Sequence, residues 1–304
     1  MATIVIAETI ASVGVDALTA AGHRVLDCAG QPRDALITAL AEADALIVRS
    51  QVRVDSPLIA AGPKLRIIGR AGVGIDNIDV ASAERAGIVV VNAPDGNTVA
   101  AAEHTFALLL ALARRIPHGD RSVRQGEWVR AELKGFELRG RRLGIVGLGR
   151  IGRAVAARAA AFGMHLLGSD PFVRAEEAAS VGVRLVSLDE LLRESDVVTL
   201  HAPAVGATPL IGAAELATMK SSAVLINVAR GSLVDEGALA AALTSGGIAG
   251  AAIDVYATEP PVGSPLLTAP RTVLTPHLGA QTTDAQVAVA REVADRICEF
   301  FKST

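Results

Sequence analysis

Short apolar runs alternate with helix-like segments along the first third of the chain. The runs are rich in Val and Ile, which is typical of buried strands in a parallel sheet. Between them, apolar residues recur at helical spacing over Gly14–Ala21 and Asp34–Glu42. The predicted strands are Thr3–Ala7, Arg24–Asp27, Ala45–Val48, Arg66–Gly69 and Ile88–Val91. Because strands that alternate with helices form parallel βαβ units, we expect a small doubly wound domain here.

A second series with the same pattern follows later in the chain. Helices are predicted over Ile151–Phe162, Leu188–Glu194 and Glu236–Ser245. The strands of this series are predicted at Leu143–Val146, His165–Ser169, Asp196–Leu200, Ala223–Asn227, Gly250–Asp254 and Thr272–Leu274. The fold class that follows is α/β, with two doubly wound parallel-sheet domains.

Two predicted helices belong to neither series. The segment Val99–Arg115 is apolar nearly all round, so it needs cover from another domain or another subunit. The final helix, Thr283–Phe301, has one apolar face, formed by Val287, Ala290, Val293, Ile297 and Phe301. Because this helix follows the last strand of the second series, one hypothesis is that it returns to pack on the first domain.

Length and composition agree with two domains. A chain of 304 residues exceeds the usual size of a single core, and 51% of its residues are hydrophobic. Aromatic residues make up only 3%, so Ala, Val, Leu and Ile must fill the cores. The net charge of −3 argues against a nucleic-acid partner, because phosphate binding requires a basic excess.

Other sequence features predict a soluble protein of the cytoplasm. The N-terminal residues lack the basic segment of a signal peptide and form the first predicted strand instead. The most apolar stretch, Phe106–Ala113, is far shorter than the roughly 20 residues of a membrane span. Two cysteines, Cys28 and Cys298, are too few for a disulfide framework, which favours a reducing compartment.

A glycine-rich motif is the strongest indication of a ligand. Gly147, Gly149 and Gly152 form a GxGxxG pattern directly after a predicted strand and at the start of an Ala-rich helix. The first glycine permits a tight turn, the second lets the backbone approach a pyrophosphate, and the third allows close packing of helix and strand. Free N–H groups at the helix N-terminus then attract the phosphates. The motif therefore predicts a dinucleotide site.

The residue Asp170 indicates which dinucleotide this is. It ends the next predicted strand, close to the ~20-residue spacing of an acid that binds the ribose hydroxyls. A carboxylate at this position repels the additional phosphate of NADP, so the predicted cofactor is NAD. An ordinary glycine turn with a surface aspartate is the alternative, but it leaves the order of strand, turn, helix and acid unexplained.

Three charged or titratable residues follow strands of the second series. Arg230 lies in the segment NVARG, Glu259 in DVYATEPP and His277 in TPHLG. Each has an ordinary interpretation alone, as a solvated cap, a loop charge or a hydrogen-bonded loop histidine. Because the carboxyl ends of parallel strands meet at one edge of a sheet, we expect all three at its ligand-binding edge.

These residue types suit hydride transfer to a 2-keto acid. The carbonyl oxygen needs a proton, and histidine titrates near neutral pH, so His277 is the candidate acid–base. Glu259 would hold the imidazole and favour its charged form. Arg230 would bind the substrate carboxylate and polarise the carbonyl.

The remaining histidines are weaker candidates. His201 ends a strand and is expected near the cofactor without a chemical role, and His104 lies within the apolar helix. His23, His118 and His165 have no acidic or cationic partners in a recognisable pattern. No cluster of His, Cys and Asp has the spacing of metal ligands, so no metal is predicted.

The segments GLGRIG, NVARGSLVDEGAL, DVYATEPP and TPHLGAQT resemble, in order and spacing, those of the D-isomer-specific 2-hydroxyacid dehydrogenase family. The resemblance covers essentially the whole chain. The segments IVRSQVRVDSPLI, IIGRAGVGIDNIDV and NAPDGNTVAAAEH are most similar to the branch that oxidises D-3-phosphoglycerate to 3-phosphohydroxypyruvate in serine biosynthesis. The resemblance implies an NAD-dependent dehydrogenase in which Arg230, Glu259 and His277 are catalytic.

The resemblance also implies residues for both ligands. Those expected to line the NAD site are Val73, Gly147, Gly149, Arg150, Ile151, Gly152, Asp170, Ala202, Pro203, Val228, Ala229, Arg230, Asp254, His277, Gly279 and Ala280. Those expected to face a 2-hydroxy acid substrate are Arg49, Ser50, Arg53, Gly72, Val73, Gly74 and Asn97. Of these, Arg49 and Arg53 are available to bind a phosphate dianion.

Some positions depart from the pattern of close relatives. Thr98 and Gln281 stand where serines are expected, and Gln51 and Val52 replace smaller residues in the loop that should touch the substrate. The catalytic residues are unaffected, so these departures concern the identity of the substrate.

The fold that the resemblance implies has two discontinuous domains. A Rossmann NAD-binding domain, residues 96–280, is inserted into a flavodoxin-like substrate domain formed by residues 1–95 and 281–304. The apolar helix Val99–Arg115 would be part of a homodimer interface. Because the sequence ends at Thr304, directly after the last helix, we expect no C-terminal regulatory domain and no feedback control by serine.

Three other functions stay open at this point. A glyoxylate or hydroxypyruvate reductase, or another D-2-hydroxyacid dehydrogenase, needs less positive charge near the substrate. An NAD-sensing transcriptional corepressor of the same superfamily would be a binding module. The set Arg230, Glu259 and His277 argues against a corepressor without excluding it, because such proteins retain these residues. The same set disfavours an NAD-binding protein that has no turnover.

Overall fold

Two parallel sheets organise the chain in the structure, a computed structural model that describes residues 1–204, 206 and 208–303. The predicted α/β class with two doubly wound parallel sheets is confirmed. One compact unit consists of residues 1–98 and 280–304, and the other of residues 99–279. The sequence places these boundaries at 95/96 and 280/281, a few residues from where the two units separate.

The first unit contains a five-stranded sheet in the order β2-β1-β3-β4-β5. Its strands are β1 (Thr3–Ile6), β2 (Arg24–Asp27), β3 (Ala45–Val48), β4 (Ile67–Arg70) and β5 (Val89–Asn92). Its helices are α1 (Ser12–Ala20), α2 (Arg33–Leu40), α3 (Ser56–Ala60), α4 (Val80–Arg85) and α12 (Thr283–Ser303). All five strands were predicted to within one or two residues, and the central strands β1, β3 and β4 are the ones whose apolar runs are buried.

The last helix, α12, packs on this first sheet, as the hypothesis from the sequence stated. Its buried face consists of Ala285, Val289, Ala290, Val293, Ala294, Ile297 and Cys298. The assignment of Val287 to this face was wrong, since its side chain is 42% exposed. Val287 is two residues from both Ala285 and Val289, which places it on the opposite side of a helix with 3.6 residues per turn.

The second unit contains a seven-stranded sheet in the order β12-β11-β10-β9-β6-β7-β8. Its strands are β6 (Arg142–Val146), β7 (His165–Ser169), β8 (Val183–Leu185), β9 (Val197–Leu200), β10 (Val224–Asn227), β11 (Gly250–Ile253) and β12 (Thr272–Leu274). Strand β8 was not predicted, because its three residues, Val-Arg-Leu, include a charge and do not form an apolar run. The strand order reverses between β9 and β6, and ligands of such sheets bind at the carboxyl side of this point.

Seven helices of the second unit are present in the part of the chain that the structure describes. They are α5 (Thr98–Ala113), which begins one residue before this unit, α6 (Ile116–Arg124), α7 (Arg150–Ala161), α8 (Ala175–Ser180), α9 (Leu188–Glu194), α10 (Ala213–Thr218) and α11 (Glu236–Ser245). Helix α7 opens at the GxGxxG motif, as predicted. Among the described residues, no helix combines the length and apolarity that crossing a bilayer requires.

The all-round apolar character of α5 is largely explained within its own unit. Phe106, Leu108 and Leu109 are buried in one core cluster together with Leu143 of β6 and Val155 of α7. At the start of the same helix, Val99 is 58% exposed. The helix therefore buries most of its apolar surface without a second subunit, and the predicted homodimer interface stays a prediction.

The contact of α12 with β4 leaves no room for a side chain at Gly69. A Cβ atom there would lie 2.6 Å from Val293 Cγ2 and 2.9 Å from Ile297 Cδ1. We therefore expect Gly69→Ala to lower the free energy of unfolding by about 1–3 kcal/mol, the usual effect of overpacking a core. Urea denaturation followed by circular dichroism measures this change.

A matched control is Gly119→Ala in α6, where the nearest atom to a Cβ is Leu133 Cδ1 at 3.5 Å. Alanine has the better helix propensity, so this variant should be at least as stable as the parent. An unchanged urea midpoint for Gly69→Ala would contradict the packing of α12 on β4.

Candidate active site

The carboxyl ends of the second sheet bring most of the predicted site residues to one edge. The glycine motif follows β6, and Asp170 follows β7. Further along this edge lie Ala202 and Pro203 after β9, Val228 to Arg230 after β10, Asp254 and Glu259 after β11, and His277 and Gly279 after β12. Because all seven strands are parallel, their carboxyl ends point the same way. Val73 and Ala280 belong to the first unit.

The three motif glycines differ in what a side chain at each position would meet. Gly147 has a φ angle of +92°, which favours glycine, and its N–H donates to the Ser169 carbonyl at 2.9 Å. A Cβ at Gly152 would lie 2.0 Å from the Gly147 carbonyl oxygen. At Gly149, by contrast, no atom lies within 4 Å of a Cβ position. The first and third glycines are needed for the fold, whereas the second leaves open space in front of the helix N-terminus.

Asp170 lies against the same turn. Its Oδ2 accepts a hydrogen bond from the Leu148 N–H at 2.8 Å, and its Oδ1 accepts one from Phe172 N–H at 2.9 Å. The carboxylate is thus held beside the glycine motif at the carboxyl end of the neighbouring strand. This is where the spacing in the sequence places an acid for the ribose.

His277 and Glu259 are in direct contact. Nδ1 of His277 lies 2.8 Å from Oε2 of Glu259, and the two side chains are 45% and 38% exposed. The other oxygen of Glu259 accepts a hydrogen bond from the Tyr256 N–H at 3.1 Å. The pairing predicted from the sequence is therefore present, with both partners open to solvent on one side.

The backbone at His277 adopts a left-handed conformation, with φ of +56°. Few residues other than glycine do so, and such conformations persist where surrounding bonds hold them. Here the His277 N–H donates to the Asp254 carbonyl at 2.9 Å. The orientation of the imidazole therefore depends on the turn that Asp254 organises.

Asp254 is fully buried and accepts hydrogen bonds from all sides. Its carboxylate receives Thr275 Oγ1 at 2.6 Å, the N–H groups of Leu278 and Gly279 at 2.7 and 2.8 Å, and His104 Nε2 at 3.1 Å. Burial opposes ionisation, but the bonds from His104, Thr275 and Leu278 outweigh it and hold the pKa of Asp254 below its usual value. A buried carboxylate with this many donors ties the whole turn around His277 to the end of β11.

The role of His104 was missed in the sequence. It is a half-buried member of the apolar helix α5, and its Nε2 lies 3.3 Å from Thr275 Oγ1 as well as close to Asp254. Its partners are about 150 to 170 positions away in the chain, so local pattern gives no indication of the contact. A single histidine in a helix that is mostly apolar was the available hint.

Arg230 lies at the end of a loop held by a buried asparagine. Asn227 is fully buried, donates to the Arg230 carbonyl at 2.9 Å and accepts from the Ala229 N–H at 3.1 Å. The Arg230 side chain is half-buried and donates from Nη1 to the Ala229 carbonyl at 2.6 Å. The loop thus presents a guanidinium at the carboxyl end of β10, beside the strand that leads to Asp254.

His201 is the neutral histidine of this edge. Burial lowers the pKa of His201 to about 3, so the ring carries no charge near neutral pH. Its Nε2 lies 2.9 Å from Thr199 Oγ1. A ring that does not titrate in the physiological range agrees with the expectation that His201 has no acid–base role.

In the first unit, the predicted substrate loop is held by two side chains that the sequence did not single out. The carboxylate of Glu8, at the end of β1, accepts hydrogen bonds from the N–H groups of Arg49, Gln51 and Val52 at 2.7, 2.9 and 3.1 Å. Asn77 donates to the carbonyls of Arg49 and Val52 at 2.9 and 2.7 Å. Glu8 directly follows the predicted strand Thr3–Ala7, so the rule that identified Arg230 applies to it equally.

A further cation, Arg70, lies against the glycine loop of the first unit, residues 71–74. Gly72 has φ of +149°, and a Cβ there would lie 1.5 Å from Nη1 of Arg70. The Val73 carbonyl accepts a hydrogen bond from Asn92 at 2.6 Å. Arg70 was not singled out in the sequence, where the predicted strand ends at Gly69, whereas β4 ends on Arg70 and its guanidinium covers Gly72.

Asn97 and Thr98 have polar atoms that accept no hydrogen bond from the described residues. Both Asn97 Oδ1 and Thr98 Oγ1 are buried. Buried polar atoms without partners are uncommon and frequently mark a position where a ligand or water binds.

Arg53, another predicted substrate residue, is exposed, and its carbonyl accepts a hydrogen bond from Arg33 at 3.3 Å. Within the described part of the chain, no three His, Cys, Asp or Glu residues come together as metal ligands.

Comparisons with known proteins agree with this arrangement. The model of the D-isomer specific 2-hydroxyacid dehydrogenase NAD binding domain matches residues 106–279. Over 303 residues, the chain is 46% identical to a protein of Archaeoglobus fulgidus named D-3-phosphoglycerate dehydrogenase, and the match covers 98% of this chain and 57% of that protein. The chain spans about half the length of the curated relatives it matches.

Solved structures are similar over their whole length. A glyoxylate reductase from Paecilomyes thermophila has a TM-score of 0.87 at 32% identity, covering 97% of this chain and 94% of that chain. A D-lactate dehydrogenase from Aquifex aeolicus, complexed with NAD and lactic acid, has a TM-score of 0.87 at 28% identity, covering 99% and 96%. The resemblance recognised in the motifs is confirmed. The chain belongs to the D-isomer-specific 2-hydroxyacid dehydrogenase family, and residues 106–279 match its NAD-binding domain.

Proposed function

We propose that this chain is an NAD-dependent dehydrogenase that interconverts D-3-phosphoglycerate and 3-phosphohydroxypyruvate. The observation that carries the reaction class is the 2.8 Å contact of His277 with Glu259 on the sheet edge that also holds the glycine motif. The substrate is supported by the names of relatives that are 46% identical and by the arginines of the first unit. Residues 99–279 are the NAD-binding unit in this proposal, and residues 1–98 with 280–304 bind the substrate.

The residues at the glycine motif fit a dinucleotide. The space in front of Gly149 admits a pyrophosphate against the N-terminus of α7, where free N–H groups and the helix dipole favour negative charge. Asp170 would accept the ribose hydroxyls, which favours NAD over NADP. The other residues proposed to line the site are Val73, Arg150, Ile151, Ala202, Pro203, Val228, Ala229, Arg230, Asp254, His277, Gly279 and Ala280.

His277 is the proposed acid–base. NAD, when bound, would supply the hydride acceptor for carbon 2 of the acid, and NADH the hydride donor for the reverse reaction. During oxidation, His277 takes the hydroxyl proton of the substrate at Nε2, because Nδ1 is engaged by Glu259. During reduction the same nitrogen gives the proton back to the carbonyl oxygen. Glu259 keeps one tautomer of the ring in place and stabilises the imidazolium that forms.

Arg230 is proposed to bind the substrate carboxylate. The loop 227–230 is held by the buried Asn227, whose amide nitrogen donates to the Arg230 carbonyl and whose amide oxygen accepts from the Ala229 N–H. A guanidinium binds a carboxylate through two parallel hydrogen bonds, which orients carbon 2 toward the acid–base. The same positive charge polarises the carbonyl in the reductive direction.

Three arginines of the first unit support a phosphorylated substrate. Arg49 lies on the loop held by Glu8 and Asn77, Arg53 lies further along that loop, and Arg70 covers Gly72. A phosphate dianion forms strong charge-assisted bonds with such groups. Ser50, Gly74 and Asn97 complete the proposed substrate residues, and the orphan oxygen of Asn97 is a further point of attachment.

Assembly as a homodimer, location in the cytoplasm and the lack of a nucleic-acid partner stay predictions from the sequence.

The second and third glycines of the motif, Gly149 and Gly152, allow cofactor binding to be tested separately from folding. We expect Gly149→Ala to have the same unfolding temperature as the parent protein. Its affinity for NADH should be at least about tenfold lower, equivalent to about 1.4 kcal/mol. Gly152→Ala should instead lose about 1–3 kcal/mol of stability, because its methyl group collides with Gly147. Calorimetric titration with NADH and thermal unfolding measure the two effects. Unchanged NADH affinity in Gly149→Ala would refute the pyrophosphate position.

The reaction itself is tested by following NADH absorbance with a panel of substrates. The panel contains 3-phosphoglycerate with NAD, and phosphohydroxypyruvate, hydroxypyruvate and glyoxylate with NADH. We expect the phosphorylated pair to have the highest kcat/KM. His277→Ala should lower kcat by about 10²–10⁴-fold and leave NADH binding intact. A preference for glyoxylate or hydroxypyruvate would identify a reductase, as the similarity to a glyoxylate reductase structure suggests. NADH binding without turnover of any substrate would reject the dehydrogenase.

Phosphate recognition is tested by Arg49→Ala and Arg53→Ala. Each substitution removes a charge-assisted bond worth about 1.5–3 kcal/mol, so kcat/KM for the phosphorylated substrate should fall roughly 10- to 100-fold. Hydroxypyruvate, which has no phosphate, should be turned over at a nearly unchanged rate. Arg24→Ala is the control, because Arg24 is an exposed arginine of the same unit. Equal losses for both substrates would argue against a phosphate contact.

A further inference from the structure

One carboxylate holds both ends of the loop that carries Glu259. Glu236 is the first residue of α11, and its Oε1 accepts a hydrogen bond from the Ala257 N–H at 2.8 Å. Its Oε2 accepts a short hydrogen bond from the Ser264 hydroxyl. The two anchors lie two residues before and five residues after Glu259. Each oxygen of Glu236 therefore attaches one end of the segment 257–264, which we call the Glu259 loop.

The Glu259 loop has few other attachments. Its residues 257–260, 262 and 263 are exposed, and the bonds Val262 N–H to Pro260 carbonyl and Ser264 N–H to Pro261 carbonyl are internal to it. Glu259 itself contacts Tyr256 and His277. An exposed loop that lacks buried apolar side chains is poorly ordered without fixed polar contacts. The two bonds to Glu236 supply such contacts.

The surroundings of Glu236 favour a charged side chain at this place. The N-terminus of a helix stabilises an anion, and α11 is already capped by Asp235, whose Oδ1 accepts from the Ala238 N–H at 3.0 Å. Just upstream, a Cβ at Gly231 would lie 1.9 Å from the carbonyl carbon of Tyr256. The loop before α11 and the start of the Glu259 loop are thus in backbone contact, which brings Glu236 within reach of Ala257.

Tyr256 connects this contact to the turn that carries His277. Its hydroxyl donates to the Thr275 carbonyl at 3.0 Å. Burial, together with the negative charges of Asp254, Glu259 and Glu236, raises the pKa of Tyr256, so the phenol stays protonated and remains a donor. Both members of the acid–base pair are therefore attached to the same segment, Glu259 through its loop and His277 through Thr275.

We propose that Glu236 is a positioning residue for the acid–base pair, because it holds the Glu259 loop at the distance from which Glu259 contacts His277. The proposal rests on the proposed function. Glu236 does not touch substrate or cofactor in this scheme, and it acts only through Glu259. Without it, the exposed loop moves away and His277 loses the carboxylate that orients its ring. A displacement of about 1 Å in a catalytic group is enough to lower a rate substantially.

The test compares Glu236→Ala with Glu236→Gln. Glutamine keeps the side-chain length, can accept from Ala257 N–H through its oxygen and can donate to Ser264 through its amide. We expect Glu236→Ala to lower kcat for the best substrate about tenfold, with KM and NADH affinity within roughly twofold of the parent. Glu236→Gln should retain at least about half of the parent kcat. Equal losses in both variants would overturn the positioning role in favour of a charge effect.

Glu190→Ala is the matched control. Glu190 is also a glutamate in the first turn of a helix, α9, and its carboxylate accepts from Arg184 at 2.8 Å on the surface. It should retain parent activity. Thermal unfolding of every variant separates a loss of fold from a loss of position, and a tenfold loss of NADH affinity in Glu236→Ala would mean that the whole edge of the sheet is disturbed.

A double-mutant cycle decides whether Glu236 acts through Glu259. In a Glu259→Ala background the loop has no catalytic side chain left to position, so adding Glu236→Ala should change kcat less than twofold. The same tenfold loss in both backgrounds would overturn the proposal. The proposed function fails separately, if the parent protein turns over none of the 2-hydroxy or 2-keto acids. If the parent is active and Glu236→Ala is equally active, only the inference about Glu236 is overturned.

Discussion

At the end of β11 a fully buried carboxylate, that of Asp254, accepts hydrogen bonds from a histidine, a threonine and two backbone N–H groups. The candidate site depends on this interaction more than on any other. A carboxylate removed from water is costly unless donors replace its hydration, and here each oxygen has them. The turn that supplies most of these donors is the one that carries His277. Satisfying the buried charge and placing the acid–base are therefore one structural requirement.

The same arrangement recurs where loops must be held at the strand ends. Glu8 binds three N–H groups of the loop at Arg49, and Glu236 binds both ends of the Glu259 loop. In each case an acidic side chain accepts hydrogen bonds from a loop whose residues are mostly exposed. Charge-assisted hydrogen bonds are stronger than neutral ones, so a few of them replace the core that such loops lack. The exposed loops keep a defined shape while their other side chains stay available for ligands.

Much of this organisation could be predicted from the sequence, and the errors have identifiable causes. Hydrophobic periodicity located most strands and α11, because these elements have strong local patterns. The GxGxxG spacing located the glycine motif. Periodicity missed β8, whose three residues include the charged Arg184, and it misplaced Val287 by half a turn on α12. The prediction that His277 and Glu259 lie together came instead from the rule that the carboxyl ends of parallel strands meet at one edge. None of these patterns found His104, whose partners lie far away in the chain.

By itself the sequence determined the fold class, the dinucleotide motif with its following acid, and the identity of the three candidate catalytic residues. These are properties of short segments, where spacing of a few residues decides which side chains share a face or a turn. Only the tertiary structure decided which side chains hold those residues in place. His104, Glu8 and Glu236 meet their partners across 20 to 170 positions of chain, and no local pattern encodes such distances. These contacts arise when the parallel strands and the helices between them pack into one unit, because strand ends and helix residues that are far apart in the sequence then become neighbours.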